Sequence, residues 1–269
     1  MFVHNLKSVS GVALALLIVW PVGRPAVAQS RAIADNSFLI EEAYNQEPGV
    51  VQHIGAWQRS LRSAPWIFTF TQEWPLGTQL HQLSYTVPFQ RTESPLRASG
   101  FGDVALNYRY QLLPVDQRVA MSPRVSLLVP TGSRARGLGT GEIGAQLNVP
   151  VSVMLGSALV SHWNAGLTAV AGVTTYNLGA SMIWLLHPSF NVMVEMAWTD
   201  QNAGPQSFVV NPGIRWAHNF ASGLQIVPGI AFPVGVGPSR GARAAFLYLS
   251  FEHRFQSARE ALNPNTGPP

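Results

Sequence analysis

Glu41 and Glu42 stand side by side, and paired carboxylates are the residues of general acid chemistry or of a cation site. Asp35 or Asn36 can cap a short helix from Ser37 to Gln46, with Pro48-Gly49 ending it. On a helix, neighbours in sequence diverge, so this pair does not form a catalytic dyad. His187-Pro188-Ser189 places a base and a hydroxyl nucleophile two residues apart, a spacing suited to lipid-ester hydrolysis when the two touch and a third group orients the base. Pro188 and the turn around it remove that hold. His162-Trp163-Asn164 reads as an inward His and Asn flanking an outward Trp. Gly100-Phe101-Gly102 and Gly137 to Gly141 are turn glycines, since neither follows a strand and opens a helix as a phosphate loop does. Cysteine is absent, which excludes thiolate metal ligation and disulfides. No motif calls for a metal or a cofactor.

A larger polar set recurs at alternate positions: Asn107, Arg109, Gln111, Arg124, Glu142, Gln146, Glu195, Arg215, Glu252 and Arg254. Two kinds of chemistry fit it. One is a polar conduit for a small solute; the other is a pack of Arg–Glu pairs that fills a narrow lumen, because buried charge must be paired. A second set of arginines, Arg91, Arg97, Arg134, Arg136 and Arg240, falls in long connections. Guanidinium groups bind phosphate bidentately, which suits the phosphates of lipopolysaccharide.

The elements that carry these residues are strands. In Gly102 to Leu113, GDVALNYRYQLL, Val104, Leu106, Tyr108, Tyr110 and Leu112 share one parity, and Asp103, Ala105, Asn107, Arg109 and Gln111 share the other. A soluble sandwich turns the apolar parity inward; a membrane barrel turns it outward to lipid and lines its lumen with the polar one. About twelve such runs fill the chain from Val50 to Phe255, and no credible amphipathic helix separates them. Trp66, Trp74, Tyr176, Trp198 and Trp216 sit near strand ends, as interfacial girdles require. Connections alternate short and long, from Pro75–Thr78 and Phe89–Phe101 onward, with residues 172–174 the misfit. Short periplasmic turns and long outer loops are the barrel pattern. The fold class expected is all-β: a transmembrane antiparallel β-barrel of about twelve strands with a short N-terminal periplasmic or plug segment, both chain ends in the periplasm.

Composition agrees. Of 269 residues, 47% are apolar and 11% charged, against about 25% charged in soluble domains. Beyond the N-terminus no run approaches the ~20 apolar residues of a membrane helix. Arginine carries the net charge of +4 but is scattered, which argues against nucleic-acid binding. Lys7, the apolar run Val12 to Val22 and Ala26-Val27-Ala28 read as a cleaved secretory signal. The expected layout is a signal peptide at 1–28, a periplasmic or plug segment at 29–49, the barrel at 50–255, and a polar, proline-bearing periplasmic tail at 256–269. The whole is expected to act as a monomer in the outer membrane, in contact with its lipid and lipopolysaccharide.

SFLIEEAYNQEPGVVQHI (37–54), FTFTQEWP (68–75), HQLSYTVP (81–88), GFGDVALNYRYQL (100–112) and SPRVSLLVPTG (122–132) resemble the outer-membrane "transporter" family grouped with the putative meta-pathway of phenol degradation proteins. The likeness runs from about Asn36 to Phe255. It implies an outer-membrane barrel and a channel or transporter, not an enzyme, for small solutes, aromatic or other hydrophobic ones among them. LYLSFEHRF (247–255) resembles the terminal strand read by the barrel-assembly machinery, which it implies as a partner. The alternatives are a closed envelope barrel without transport and an outer-membrane lipid hydrolase.

Overall fold

The computed structural model describes residues 36–202, 204–220 and 224–254. The expected signal peptide and tail lie outside these residues, as does Phe255. Alternating side chains make each described strand two-faced, and twelve staves follow one another as an antiparallel meander. They are β1 (Val50–Ser60), β2 (Trp66–Leu76), β3 (Thr78–Thr92), β4 (Ala98–Phe101 resumed as Val104–Tyr110) and β5 (Val119–Met121 resumed as Arg124–Val129). Then come β6 (Gly144–Met154), β7 (Leu159–Val170), β8 (Val173–His187), β9 (Phe190–Gln201), β10 (Gln206–Trp216), β11 (Gln225–Ala231 resumed as Val234–Gly235) and β12 (Ala244–Arg254). Closure is complete, because β12 pairs with β1 in register from Val50↔Arg254 to Ser60↔Ala244. A closed sheet has no edge left to satisfy, the condition for crossing a bilayer with strands.

The two faces segregate. Leu106, Tyr108, Leu127, Leu147, Trp163, Leu178, Leu247 and Leu249 are exposed on the outside, while Asn107, Arg109, Ser126, Asn148, Asn164, Glu195 and Ser250 are buried within. Aromatic clusters mark both rims. Trp66 and Phe101 both pack on Phe89 at one end; His53 stacks on Phe251, and His81 on Tyr108, at the other.

Three expectations are corrected. Phe89–Phe101 is mostly strand, because β3 continues to Thr92 and β4 restarts at Ala98. The misfit connection is a two-residue hairpin, Ala171-Gly172, both at positive φ (52° and 74°), the backbone that matches strand twist most tightly. Ser37 to Gln46 forms no helix. It runs as an irregular, extended strap inside the barrel, because wall side chains offer its peptide groups the partners that helical bonds would otherwise supply.

Candidate functional site

The strap enters at the end of the barrel where β1 begins and β12 stops. The Arg215 guanidinium, one residue from the end of β10, donates to the Asn36 carbonyl. The Ser37 hydroxyl donates to that of Ser181 on β8 at 2.8 Å. The N–H groups of Phe38, Leu39 and Ile40 all donate to one carboxylate oxygen of Glu195, at 2.9, 2.8 and 3.1 Å. At the crest, Asn164 of β7 accepts from the Glu41 N–H at 2.8 Å and donates to its carbonyl at 2.7 Å. The chain then descends. The Ala43 N–H donates to Ser152, that of Asn45 to Gln111 and that of Gln46 to Gln82, while Gln111 and Gln79 return bonds to the Ala43 and Asn45 carbonyls. Buried peptide groups must be paired, and here the inward-facing side chains of the wall do the pairing. The strap is therefore a U whose two described ends both lie toward the same mouth.

One limb is apolar. Phe38 lies 5.3 Å from the Phe246 ring and 5.4 Å from that of Tyr248. It fits because β10 and β11 present Gly213 and Gly229, where a Cβ would stand 2.6 Å from its ring. Ile40 sits over Gly179 in the same way. Arg215 stacks on Tyr248 at 4.9 Å.

The crest is ionic. Arg109 on β4 and Arg124 on β5 are directly opposite in register, and like charges so placed repel. Glu41 sits between them. Arg124 donates through Nε at 2.9 Å and through its terminal nitrogen at 2.5 Å, and Arg109 donates at 2.9 Å. Glu42 lies 3.9 Å from Arg109. Burial by itself would raise the Glu41 carboxyl; the guanidinium charges of Arg124 and Arg109 and their hydrogen bonds outweigh it and hold the group at about 2.

Beyond the crest, toward the loop end, lies a cavity of about 280 Å³. Leu39, Ile40 and Glu41 form its floor, with Arg124 beside them, and Gln146, Asn148, Thr168 and Asn177 line its wall. The opposite rim carries an infolded loop. Asp103, in the break within β4, accepts from the N–H groups of Gly132 and Thr140 and from the Thr140 hydroxyl. Leu138 is buried, and its carbonyl accepts from Gln90 of β3 at 2.9 Å. Gln90 shares the parity of the inward Gln82 and Ser84.

Of the ten lumen positions expected from sequence, Asn107, Arg109, Gln111, Glu195 and Arg215 are buried in the barrel interior. Arg124 and Gln146 bond to each other at 2.8 Å, and Glu252 lies partly covered near the end of β12. Arg254 stands at the mouth, bonded to Glu47 at 3.1 Å. Glu142 is the exception. It precedes β6, is exposed, and pairs with Arg134 at 3.4 Å, because the infolded loop ends there and the strand begins two residues later. Of the arginines expected in loops, Arg91 instead lies on β3, because that strand runs on to Thr92; it shares Glu93 with Arg97, Arg136 donates to the Ser99 carbonyl, and Arg240 closes a short 3-10 turn at Gly237–Ser239. His187 and Ser189 do bond, at 2.8 Å, within an exposed turn. The Ser189 N–H also points at the same ring nitrogen, which is a turn contact.

Sequence reading missed Gln82, Ser152, Asn164, Gly179, Gly213, Gly229, Phe246 and Tyr248 as strap contacts. The polar three lie on the inward parity, by which Asn164 is already read as inward and the other two were findable. The others had a signal too: glycines and aromatics on the parity that should be polar, which marks a place where something apolar enters the lumen.

No family profile matches the sequence, and no curated protein matches it. Solved structures do. The COG4313 outer membrane channel from Pseudomonas putida F1 is 14% identical over 79% of this chain and 98% of that one, with a TM-score of 0.54. The KdgM porin is 7% identical over 77% and 99%, at 0.51, and the NanC porin 8% identical over 75% and 98%, at 0.50. The likeness is one of fold: all three are barrels of the outer-membrane kind.

Proposed function

We propose that this protein is an outer-membrane channel for small solutes whose lumen is gated by its own strap. The observation that carries the reading is the way the strap is held. It takes no place in the sheet, is joined to the wall covalently only where residues 47–49 lead into β1, and has both its described ends toward the same mouth. A segment so attached can withdraw without threading, and its withdrawal bares a lumen lined by Asn107, Arg109, Gln111, Arg124, Gln146, Glu195 and Arg215, with Glu252 and Arg254 toward the mouth. The channel fold of the neighbours supports the same reading, as does the lipid-type belt outside. In this account the chain is exported on its signal peptide, assembled by the barrel-assembly machinery and monomeric. The loop end faces outward, where Arg91, Arg97, Arg134, Arg136 and Arg240 meet lipopolysaccharide. The narrower kinship with the meta-pathway of phenol degradation group rests on the sequence stretches quoted above.

Planar-bilayer recording tests it. The full chain should give low, intermittent current, and a variant lacking residues 36–46 should give a steady, larger one. A closed envelope barrel is the second reading, favoured by the density of bonds to the strap; a folded, strap-free barrel that stays silent would select it.

A further inference from the structure

Two buried arginines opposite each other on neighbouring strands are costly unless an anion lies between them. The carboxylate bonded to Arg124 comes from the removable strap, not from the barrel wall. Wall groups bonded to Arg124 are the neutral side chains of Asn107, Ser126 and Gln146. When the strap leaves, Glu41 and Glu42 leave with it. Among the described residues no wall carboxylate is then bonded to either guanidinium: Glu73, which acts on both arginines at longer range, is itself bonded to Gln82. Arg124 also borders the cavity on the loop side of the crest, next to Glu41 itself. A solute that reaches this cavity therefore meets a guanidinium whose bidentate carboxylate partner is only lent to it.

From this geometry we infer that Arg124, with Arg109 beside it, is a carboxylate-binding site of the channel, occupied in cis by Glu41 and taken over by the carboxylate of an entering solute. The inference rests on the channel reading and adds the solute's chemical class. Glu41 acts as an internal competitor. A solute carboxylate exchanges one anion for another at the guanidinium pair, so the lumen never holds the two arginines uncompensated, and the exchange loosens the crest of the strap. The amide and hydroxyl wall formed by Gln146, Asn148, Thr168 and Asn177 is suited to hold the uncharged remainder of such a solute.

Chemical rescue separates this from a purely structural ion pair. Glu41→Ala removes the side-chain carboxylate and leaves its space. Acetate, titrated calorimetrically into the detergent-solubilised full chain, should bind Glu41→Ala saturably. It should bind the unaltered protein at least about tenfold more weakly, and should lose about tenfold or more in Glu41→Ala/Arg124→Gln, the scale of a hydrogen bond to a charged group. Neutral acetamide should bind none of them. The double variant loses one charge of each sign, and its folding is checked by its thermal melt. Equal acetate affinity in the single and double variants would overturn the inference, as would acetamide binding as well as acetate. Bilayer current through Glu41→Ala is read separately. Acetate binding without current sinks the channel reading and leaves the site, whereas current without acetate binding does the reverse.

Discussion

Three main-chain N–H groups converge on one oxygen of Glu195, and its other oxygen accepts from Asn211 at 2.7 Å. A carboxylate accepting several such bonds is a strong anchor, and the Phe38 ring beside it is the apolar one. Phe38→Ala empties a slot already shaped by Gly213 and Gly229, so the seat should weaken by about 3 kcal/mol, read as a higher open probability in single-channel records; unchanged gating would remove Phe38 from the account. The Glu41 tie also has a pH signature. Its carboxyl is held at about 2, below its ordinary 4.5, so the stabilisation it gives is complete above about 4.5 and fades only as pH falls toward 2. Channel closure should therefore be the same at pH 7 and pH 5, and acid opening should appear only well below 4. Opening centred near pH 5 would contradict the double guanidinium clamp. These residues were unequally visible in the sequence. Arg109 and Arg124 stood out by parity, but Glu41 drew attention only as half of a pair with Glu42, because nothing local says that its partners lie 68 and 83 residues away.

At the scale of elements, β4 condenses the fold: Leu106 and Tyr108 to the outside, Asn107 and Arg109 to the lumen. Leu106→Arg puts charge into the apolar belt and should cost roughly 2–4 kcal/mol if the residue sits near the bilayer midplane, measured by reversible unfolding in lipid; a neutral result would deny that this face meets lipid. The break within β4 has its own task. Asp103→Ala removes three bonds from the infolded loop, so the loop should become protease-sensitive while the barrel melts as before. Period-two patterning made the strands readable, since lipid on one side and polar groups on the other impose it everywhere. It could not reveal the form of the strap, whose conformation is set by contacts from every strand from β3 through β12. It also gave Glu142 to the lumen, because parity was extended past the true start of β6 into a loop that bends back.

The whole molecule is a barrel and its own occupant in a single chain, and under the proposed channel function transport requires that the two part. The direct measurement exploits the absence of native cysteine and the 2.8 Å contact between the Ser37 and Ser181 hydroxyls, close enough for sulfur atoms at those positions to bond with modest adjustment. In planar bilayers, Ser37→Cys/Ser181→Cys should be silent when oxidised and should recover the gating of the unaltered channel on adding a thiol reductant. Equal current before and after reduction, with the cross-link verified, would contradict the strap as gate.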